Sequence, residues 1–231
     1  MKILAFGDSA LLVNFEQKID DAINQEVLDL AAALKAVPEV TYLIPAYCSL
    51  TVGFDASLNN FTEMCDLIEN SAKSKSSSTK TNVSVIEIPV CYDAEFALDL
   101  EEVMEQTGLS STEIIELHTT TIFKVYMLGF VAGFAYMGSL PEALKVARKK
   151  QPRKLVNEGA VGLAGIQTGI YPTDAPGGWQ IIGQCPIKMF DPTRNQPSLL
   201  QPGDQVQFKA IDRKEFETLR LMAYPQTTWH D

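Results

Sequence analysis

The segment Val161–Pro192 reads VGLAGIQTGIYPTDAPGGWQIIGQCPIKMFDP, and it decides the fold of the second half of the chain. Within it, six glycines and four prolines separate short β-branched pieces. Glycine permits backbone angles and close approaches that a Cβ forbids, whereas proline fixes φ and removes a donor. The pattern therefore predicts tight corners that join short strands, with backbone lying close to another group.

The same segment carries polar side chains that suit the wall of a small-ligand site. They are Gln167, Thr168, Tyr171, Thr173, Asp174 and Trp179. Such groups on a rigid, backbone-rich surface are typical of sites for small polar molecules. A β-barrel corner that needs glycine for its curvature is an equally good interpretation.

Length and composition indicate an ordinary globular protein. The chain has 231 residues, of which 46% are hydrophobic and 21% charged, so it can bury a core in one large domain or two small ones. The formal net charge of -10 repels phosphate backbones and anionic lipids, which argues against nucleic acid and membrane as partners. No uncharged apolar stretch is long enough to span a bilayer.

The N-terminal part shows strand and helix patterns in the order ββαββα. Apolar runs at 3–6 and 10–15 predict one strand pair, and runs at 40–45 and 50–54 predict another. A helix with apolar residues at i, i+4 and i+7 follows Asp20. Asn60 and Glu63 predict the capping box of a second helix. This order predicts a small α+β sandwich with both helices on one face of a sheet.

A domain boundary is predicted where residues 71–82 read SAKSKSSSTKTN. Small polar residues and lysines without an apolar anchor are typical of a flexible linker, although a long surface loop is the alternative. We therefore expect an N-terminal domain at 1–75, a linker at 76–82 and a second domain at 83–231. Short strand patterns at 83–90, 123–128 and 206–211, with two or three helices, predict that the second domain is a β-barrel.

The cysteines and histidines show no metal-binding or disulfide pattern. They are Cys48, Cys65, Cys91, Cys185, His118 and His230. We expect reduced thiols in a cytoplasmic protein and no metal site. The apolar run after Met1 is too short for a signal peptide, and Gly133–Ser139 lacks the lysine of a phosphate-binding loop.

Two residues outside the glycine-rich segment are candidates for chemistry. His118 shares a helix face with Ile114, which is typical of a core histidine but also allows a functional imidazole. Arg153 lies in a basic run at 148–154 and could hold a carboxylate or phosphate through a bidentate fork. Asp174 and Asp191 could be acid–base groups, although aspartates in such segments are usually turn residues.

Several motifs, taken in order along the chain, resemble the family of 5-oxoprolinase B-subunits, also known as KipI or allophanate hydrolase subunit 1. The motifs are GDSALLV at 7–13, ELH at 116–118, VYMLGF at 125–130, GF at 133–134, YMG at 136–138, PR at 152–153, GLAG at 162–165, QTGIYP at 167–172, PGGW at 176–179, FDP at 190–192 and PGD at 202–204. They cover nearly the whole chain, and the QTGIYP and PGGW pair is specific.

The resemblance implies a small α+β domain followed by a cyclophilin-like β-barrel. It also implies a complex with a homologous C-subunit and with an A-subunit, in a unit similar to the carboxyltransferase-like part of urea carboxylase. Such complexes open 5-oxo-L-proline to glutamate at the expense of ATP, and whether this chain itself binds ATP is left open.

Activating a lactam carbonyl requires donors that hold developing negative charge. We therefore predict catalytic roles for three polar residues: Arg153, His118 and Gln167. Contacts to the lactam or amide substrate are predicted for the remaining polar and glycine positions: Thr168, Tyr171, Gly177, Gly178 and Trp179.

The chain departs from the family pattern at positions that surround these motifs. Alanines at 132 and 135 replace common prolines, Asn157-Glu158-Gly159-Ala160 replaces Pro-Ala-Gly-Ser, and Gln184-Cys185 stands where arginine and threonine are common. Losing a positive charge and hydroxyls would weaken an anion site.

The departures therefore keep other functions open. A KipI-like regulatory protein that inhibits a sensor histidine kinase needs no preserved pocket. A component of an allophanate- or urea-processing complex is another alternative, and prolyl isomerase activity rests on fold analogy alone.

Overall fold

The computed structural model describes residues 1–73 and 84–222. It divides the chain into two units, Met1–Val83 and Ser84–Asp231, and each unit is described by itself. The linker predicted at 76–82 lies outside the described residues.

The first unit is a four-stranded antiparallel sheet with two helices. Its elements are β1 (Lys2–Ala5), β2 (Ala10–Asn14), α1 (Asp21–Leu34), β3 (Val40–Pro45), β4 (Ser49–Phe54) and α2 (Phe61–Lys73). The strand order is β1-β2-β4-β3. Alternate residues such as Leu11 and Val13 pack in one core with Val27 of α1 and Met64 of α2. The predicted ββαββα order, with both helices on one face, is confirmed.

Both helices of this unit begin with a side-chain cap, and the capping box predicted for α2 is present. The Asp20 carboxylate accepts from the N–H groups of Ala22 and Ile23 at 2.9 and 3.3 Å. The Asn60 side chain accepts from Glu63 N–H at 3.1 Å, and the Glu63 carboxylate accepts from Asn60 N–H at 3.0 Å. Each cap pairs backbone donors that the first turn of a helix would otherwise leave unbonded.

The second unit is built on a closed barrel of seven strands, as predicted for this part of the chain. Its elements are β5 (Val85–Cys91), α3 (Leu100–Thr107), α4 (Ser111–Thr120), β6 (Ile122–Leu128), β7 (Ala135–Gly138), a 3-10 turn (Glu142–Leu144), β8 (Arg153–Val156), β9 (Ala160–Ala164), β10 (Gln167–Ile170), β11 (Ala175–Gly177), β12 (Gln180–Gln184), β13 (Gln205–Ile211) and α5 (Arg213–Leu221). The barrel order is β10-β7-β6-β13-β5-β12-β9, and β8 pairs with β11 separately. Strands β5 and β13 run parallel, whereas the other pairs are antiparallel.

Two hydrophobic clusters organise this unit around the glycine-rich segment. The barrel core contains alternate residues such as Leu163 of β9 and Ile170 of β10. A smaller cluster contains Phe134, Tyr171 and Trp179 together with residues of β8 and β11. We refer to it as the aromatic cluster. Because Ile170 and Tyr171 are adjacent but belong to different clusters, the strand separates the barrel core from the aromatic cluster.

The helices of the second unit begin or end at local capping contacts. Gly108 ends α3 in the left-handed conformation with φ 72°. Ser110 and Glu113 form both hydrogen bonds of a capping box at α4, and the Asp212 carboxylate accepts from Glu215 N–H at α5. Short-range polar pairs therefore fix the helix starts on the barrel.

Candidate functional site

Arg153 belongs to a network of charged side chains centred on Asp99. Its guanidinium donates to both carboxylate oxygens of Asp99, at 2.8 and 2.5 Å. The Asp99 carboxylate also accepts from Lys149 Nζ at 2.9 Å and from Ile181 N–H at 2.7 Å. Arg153 thus uses its bidentate fork inside the protein, on a carboxylate that precedes α3.

The charges in this network stabilise one another. The Asp99 side chain is 3% exposed, while those of Lys149 and Arg153 are 20% and 25% exposed. Burial alone would raise the pKa of Asp99, but hydrogen bonds from Arg153, Lys149 and Ile181 N–H outweigh it and hold the pKa below its ordinary value. The hydrogen bond to Asp99 raises the pKa of Arg153. We therefore expect both groups to be ionised at neutral pH.

The network continues to Glu102 and Gln180. Lys149 Nζ donates to Glu102 at 2.6 Å, and Gln180 Nε2 donates to Glu102 at 2.8 Å and to the Ala147 carbonyl at 3.1 Å. Gln180 is fully buried, and within the described part of the chain its Oε1 has no hydrogen-bond partner. These contacts tie α3, the segment before β8 and the start of β12 together.

His118 lies in the barrel core, away from the Arg153 network. It is fully buried, with Nδ1 2.7 Å from the Tyr92 hydroxyl and Nε2 2.9 Å from the Thr168 hydroxyl. Its ring stacks on Phe208 with centroids 4.3 Å apart. Burial lowers the pKa of His118 to about 3, so the imidazole is neutral at physiological pH.

Strand β10 divides the predicted site residues between its two faces. Thr168 is bonded to His118 in the barrel core, whereas Tyr171 belongs to the aromatic cluster. Gln167 and Gly169 alternate with Thr168, and Gly169 packs on Phe134 and Trp179 of that cluster. Gln167, Thr168 and Tyr171 therefore do not form one continuous wall.

The PGGW motif builds the aromatic cluster. Trp179 packs edge-to-face on Phe134 at 5.4 Å, and Phe134 packs in the same way on Tyr171 at 5.2 Å. Gly177 pairs with Arg153 across β11 and β8, and a Cβ at Gly177 would overlap the Tyr171 hydroxyl. The Gly178 carbonyl accepts from Lys149 N–H at 2.8 Å. The structure thus brings the glycines, Tyr171 and Trp179 to the Arg153 side, and His118 and Thr168 to the barrel core.

The two aspartates considered for acid–base chemistry make turn contacts. Asp174 accepts from Glu158 N–H at 2.8 Å. Asp191 accepts from the N–H and hydroxyl of Thr193 at 3.0 and 2.7 Å, and the hydroxyl bond lowers the pKa of Asp191. Both contacts are typical of aspartates that stabilise turns.

A polar cleft of about 500 Å³ was not predicted as a site from the sequence. Its polar lining residues are Glu95, Asn157, Glu158, Asp174, Gln184 and Arg220. Gln184 Nε2 donates to the Glu158 carbonyl at 2.7 Å, and Cys185 N–H donates to the Gly159 carbonyl at 2.8 Å. The departures at 157–160 and at 184–185 are thus neighbours in space. Both segments depart from the family pattern, and this shared departure is the sequence signal that could have revealed the cleft.

The described residues show neither a metal-binding cluster nor a membrane-spanning helix. They contain no group of three or more histidine, cysteine, aspartate or glutamate side chains that could hold a metal ion. Within residues 1–73 and 84–222, no helix is both long and apolar enough to cross a bilayer. The four cysteines are free thiols.

Comparison with known proteins places this fold in a defined class. A family model described as "Carboxyltransferase domain, subdomain C and D" matches residues 1–200. The crystal structure of TTHA0988 has a TM-score of 0.77 and 35% identity over 88% of this chain, which spans 40% of that longer chain. The urea amidolyase of K. lactis has a TM-score of 0.72 at 17% identity over 94% of this chain and 15% of that chain, and so shares the fold alone. The chain belongs to the family of carboxyltransferase domains, subdomain C and D.

Two curated relatives define the similarity more closely. The 5-oxoprolinase B-subunit of Bacillus subtilis (strain 168) is 37% identical over 95% of this chain and 96% of its own length. The protein of the same name from Escherichia coli O157:H7 is 39% identical over 90% and 94%. The resemblance predicted from the motifs is confirmed.

Proposed function

We propose that this protein is the B-subunit of an ATP-dependent 5-oxoprolinase, which opens 5-oxo-L-proline to glutamate together with an A-subunit and a C-subunit. The observation that carries the proposal is the similarity to the 5-oxoprolinase B-subunit of Bacillus subtilis, which extends over 95% of this chain and 96% of the relative. Similarity over whole lengths supports a shared role better than a shared fold does. The proposed complex is cytoplasmic, in keeping with the location predicted from the dispersed cysteines.

The lactam carbonyl must be activated because it is a poor electrophile. ATP is the cosubstrate of the proposed complex, and activation of the carbonyl oxygen requires donors placed where negative charge develops. As one subunit of several, this chain would contribute part of that site and be inactive alone.

Arg153 is the predicted catalytic residue that the geometry favours most. Its side chain is a quarter exposed, and the residue lies on β8, paired with Gly177 of β11. A partly exposed cation held in a fixed orientation by Asp99 suits binding of a small carboxylate or lactam. We propose that Arg153 and Gln167 act on the substrate, with Tyr171, Gly177, Gly178 and Trp179 shaping the surface on the Arg153 side.

The first test is reconstitution of the purified chain with candidate A- and C-subunits. ATP hydrolysis that depends on 5-oxoproline and on all three chains would support the proposal. A stable complex that turns over urea or allophanate but not 5-oxoproline would show that 5-oxoproline is not the substrate. If no complex forms and the chain inhibits a sensor histidine kinase, the regulatory function would replace the 5-oxoprolinase function. Neither relative reported above is named as a kinase inhibitor.

The second test addresses Arg153 by substitution. Arg153→Lys keeps a cation for Asp99 but loses the bidentate fork, so we expect an intact fold and at least about tenfold lower turnover in the complex. Lys154→Gln is the matched control, because Lys154 is the exposed neighbour on the same strand. Unchanged turnover in Arg153→Lys would contradict the assignment.

A further inference from the structure

A chain of hydrogen bonds crosses the barrel core through His118. The Tyr92 hydroxyl lies 2.7 Å from Nδ1, Nε2 lies 2.9 Å from the Thr168 hydroxyl, and that hydroxyl lies 3.2 Å from the Gly162 carbonyl. Thr168 is fully buried and Tyr92 nearly so. Buried polar hydrogens need acceptors, so the protons in such a chain can be counted.

Counting the protons selects one tautomer of His118. Among the described residues, the Tyr92 hydroxyl has no acceptor other than Nδ1, so it donates to Nδ1. The ring proton is therefore on Nε2, which donates to Thr168, and the Thr168 hydroxyl donates to the Gly162 carbonyl. The reverse tautomer leaves the Tyr92 proton without an acceptor, and so does an imidazolium, which would also bury a charge.

The surroundings of the ring agree with a neutral imidazole. The ring stacks on Phe208 of β13 and lies 5.4 Å from Phe123 of β6. In the described chain the hydrogen-bond partners of the ring are Tyr92, which follows β5, and Thr168 of β10. Burial is the sole cause that lowers its pKa, so no charged group contributes to the shift.

We propose that His118 is a fixed neutral bridge in the Nε2–H form, which holds Thr168 and so positions strand β10, and that it transfers no proton. The part of this inference that concerns turnover rests on the proposed function, whereas the tautomer does not. Because β10 alternates its side chains, fixing Thr168 in the barrel core also fixes Gln167 on the opposite face. His118 would then act on the reaction through Gln167 and Tyr171 rather than by touching substrate.

The first experiment reads the tautomer in the isolated chain. His230→Gln leaves His118 as the sole histidine, and nitrogen-15 NMR of the labelled ring then reports the protonation of each ring nitrogen. We expect protonated Nε2 and unprotonated Nδ1, unchanged from about pH 5 to pH 8. A ring that titrates in that range, or one protonated at Nδ1, would overturn the inference.

Two variants test the direction of the chain. Thr168→Val removes the acceptor of Nε2–H but leaves the bond from the Tyr92 hydroxyl to Nδ1, so the ring should keep the Nε2–H form. The opposite direction of the chain, with Nδ1–H donating to the Tyr92 oxygen, predicts Nδ1–H in this variant. Thr119→Val is the matched control, because the Thr119 hydroxyl bonds helix carbonyls and not the ring. A ring that carries its proton on Nδ1 in Thr168→Val would contradict the deduced direction. Tyr92→Phe should leave Nε2 protonated, and Tyr42→Phe is its exposed control.

The positioning role is tested in the reconstituted complex. Thr168→Val is expected to lower turnover about tenfold at all pH values, because a small displacement of β10 misplaces its opposite face. Unchanged turnover, or a pH–rate profile that shifts in Tyr92→Phe, would overturn the positioning role. If the complex shows no 5-oxoprolinase activity, the proposed function fails while the NMR result still decides the tautomer.

Discussion

Replacing Asp99 by asparagine removes the negative charge at the centre of the Arg153 network without changing the shape of the side chain. The carboxylate accepts two hydrogen bonds from Arg153, one from Lys149 and one from Ile181 N–H. Removing one partner from a buried ion pair typically costs about 3–5 kcal/mol, since the remaining charge loses its compensation. The asparagine could still accept from Ile181 N–H, and Arg153 is a quarter exposed. We therefore expect Asp99→Asn to lower the free energy of unfolding of the barrel unit by about 3 kcal/mol.

The assay is chemical denaturation followed by the fluorescence of Trp179, which is 5% exposed in the aromatic cluster. The measurement is best made in a Trp229→Phe background, so that the signal comes from Trp179 alone. Glu142→Gln is the matched control, because Glu142 pairs with Lys145 at 3.3 Å on the surface. Exposed pairs contribute little, so that variant should unfold like the parent protein.

The pH dependence of the difference has a defined sign. The folded pKa of Asp99 is lowered, so its contribution is fully present above the ordinary aspartate pKa of about 3.9. The contribution is lost as the pH falls through the lower folded pKa. The stability difference between parent and Asp99→Asn should therefore be constant from about pH 6 to pH 8 and shrink below about pH 4. A difference below about 1 kcal/mol at neutral pH, or one that grows in acid, would refute the reasoning.

Three further predictions concern packing and thiol reactivity. Gly159→Ala should lower the unfolding free energy by at least about 2 kcal/mol, because φ is +82° and the new Cβ would overlap the Cys185 carbonyl. Gly165 has φ +61° but open space around it, so Gly165→Ala should lower the unfolding free energy by about half as much in the same denaturation assay. Burial raises the pKa of Cys185 to about 12, so this thiol should resist labelling at about pH 8 until the protein is unfolded, as peptide mass spectrometry would show. Ile68→Ala removes a fully buried side chain from the core of the first unit and should cost about 2–5 kcal/mol by denaturation followed by circular dichroism; a loss below about 1 kcal/mol would contradict the packing.

The sequence predicted those parts of the fold that depend on neighbouring residues. The Asn60–Glu63 and Ser110–Glu113 pairs lie three residues apart, so the chemistry of each cap is visible in the sequence itself. The alternation of strand and helix patterns likewise predicted the first unit and the barrel. Gly108 ends α3 for an equally local reason, since glycine readily adopts the left-handed conformation found there.

The arrangement of the candidate site depends on residues that are distant in the sequence. Asp99 precedes a helix and resembles an N-cap, yet its carboxylate makes no cap bond and instead binds Arg153 and Ile181 N–H. Nothing near Arg153 in the sequence identifies that partner. The separation of Thr168 from Gln167 and Tyr171 follows from strand alternation, but it can be inferred only once β10 is known to be a barrel strand.

The parallel pairing of β5 with β13 has a consequence for how the protein is made. β5 is the first barrel strand along the chain and β13 the last, and their paired residues are about 120 positions apart. A nascent chain emerging from the ribosome therefore exposes β5 as an unpaired edge until the final strand has been synthesised. Unpaired edges invite association with other chains. Translation of nearly the whole second unit must precede closure of the barrel, so molecular chaperones have a defined interval in which to protect that edge.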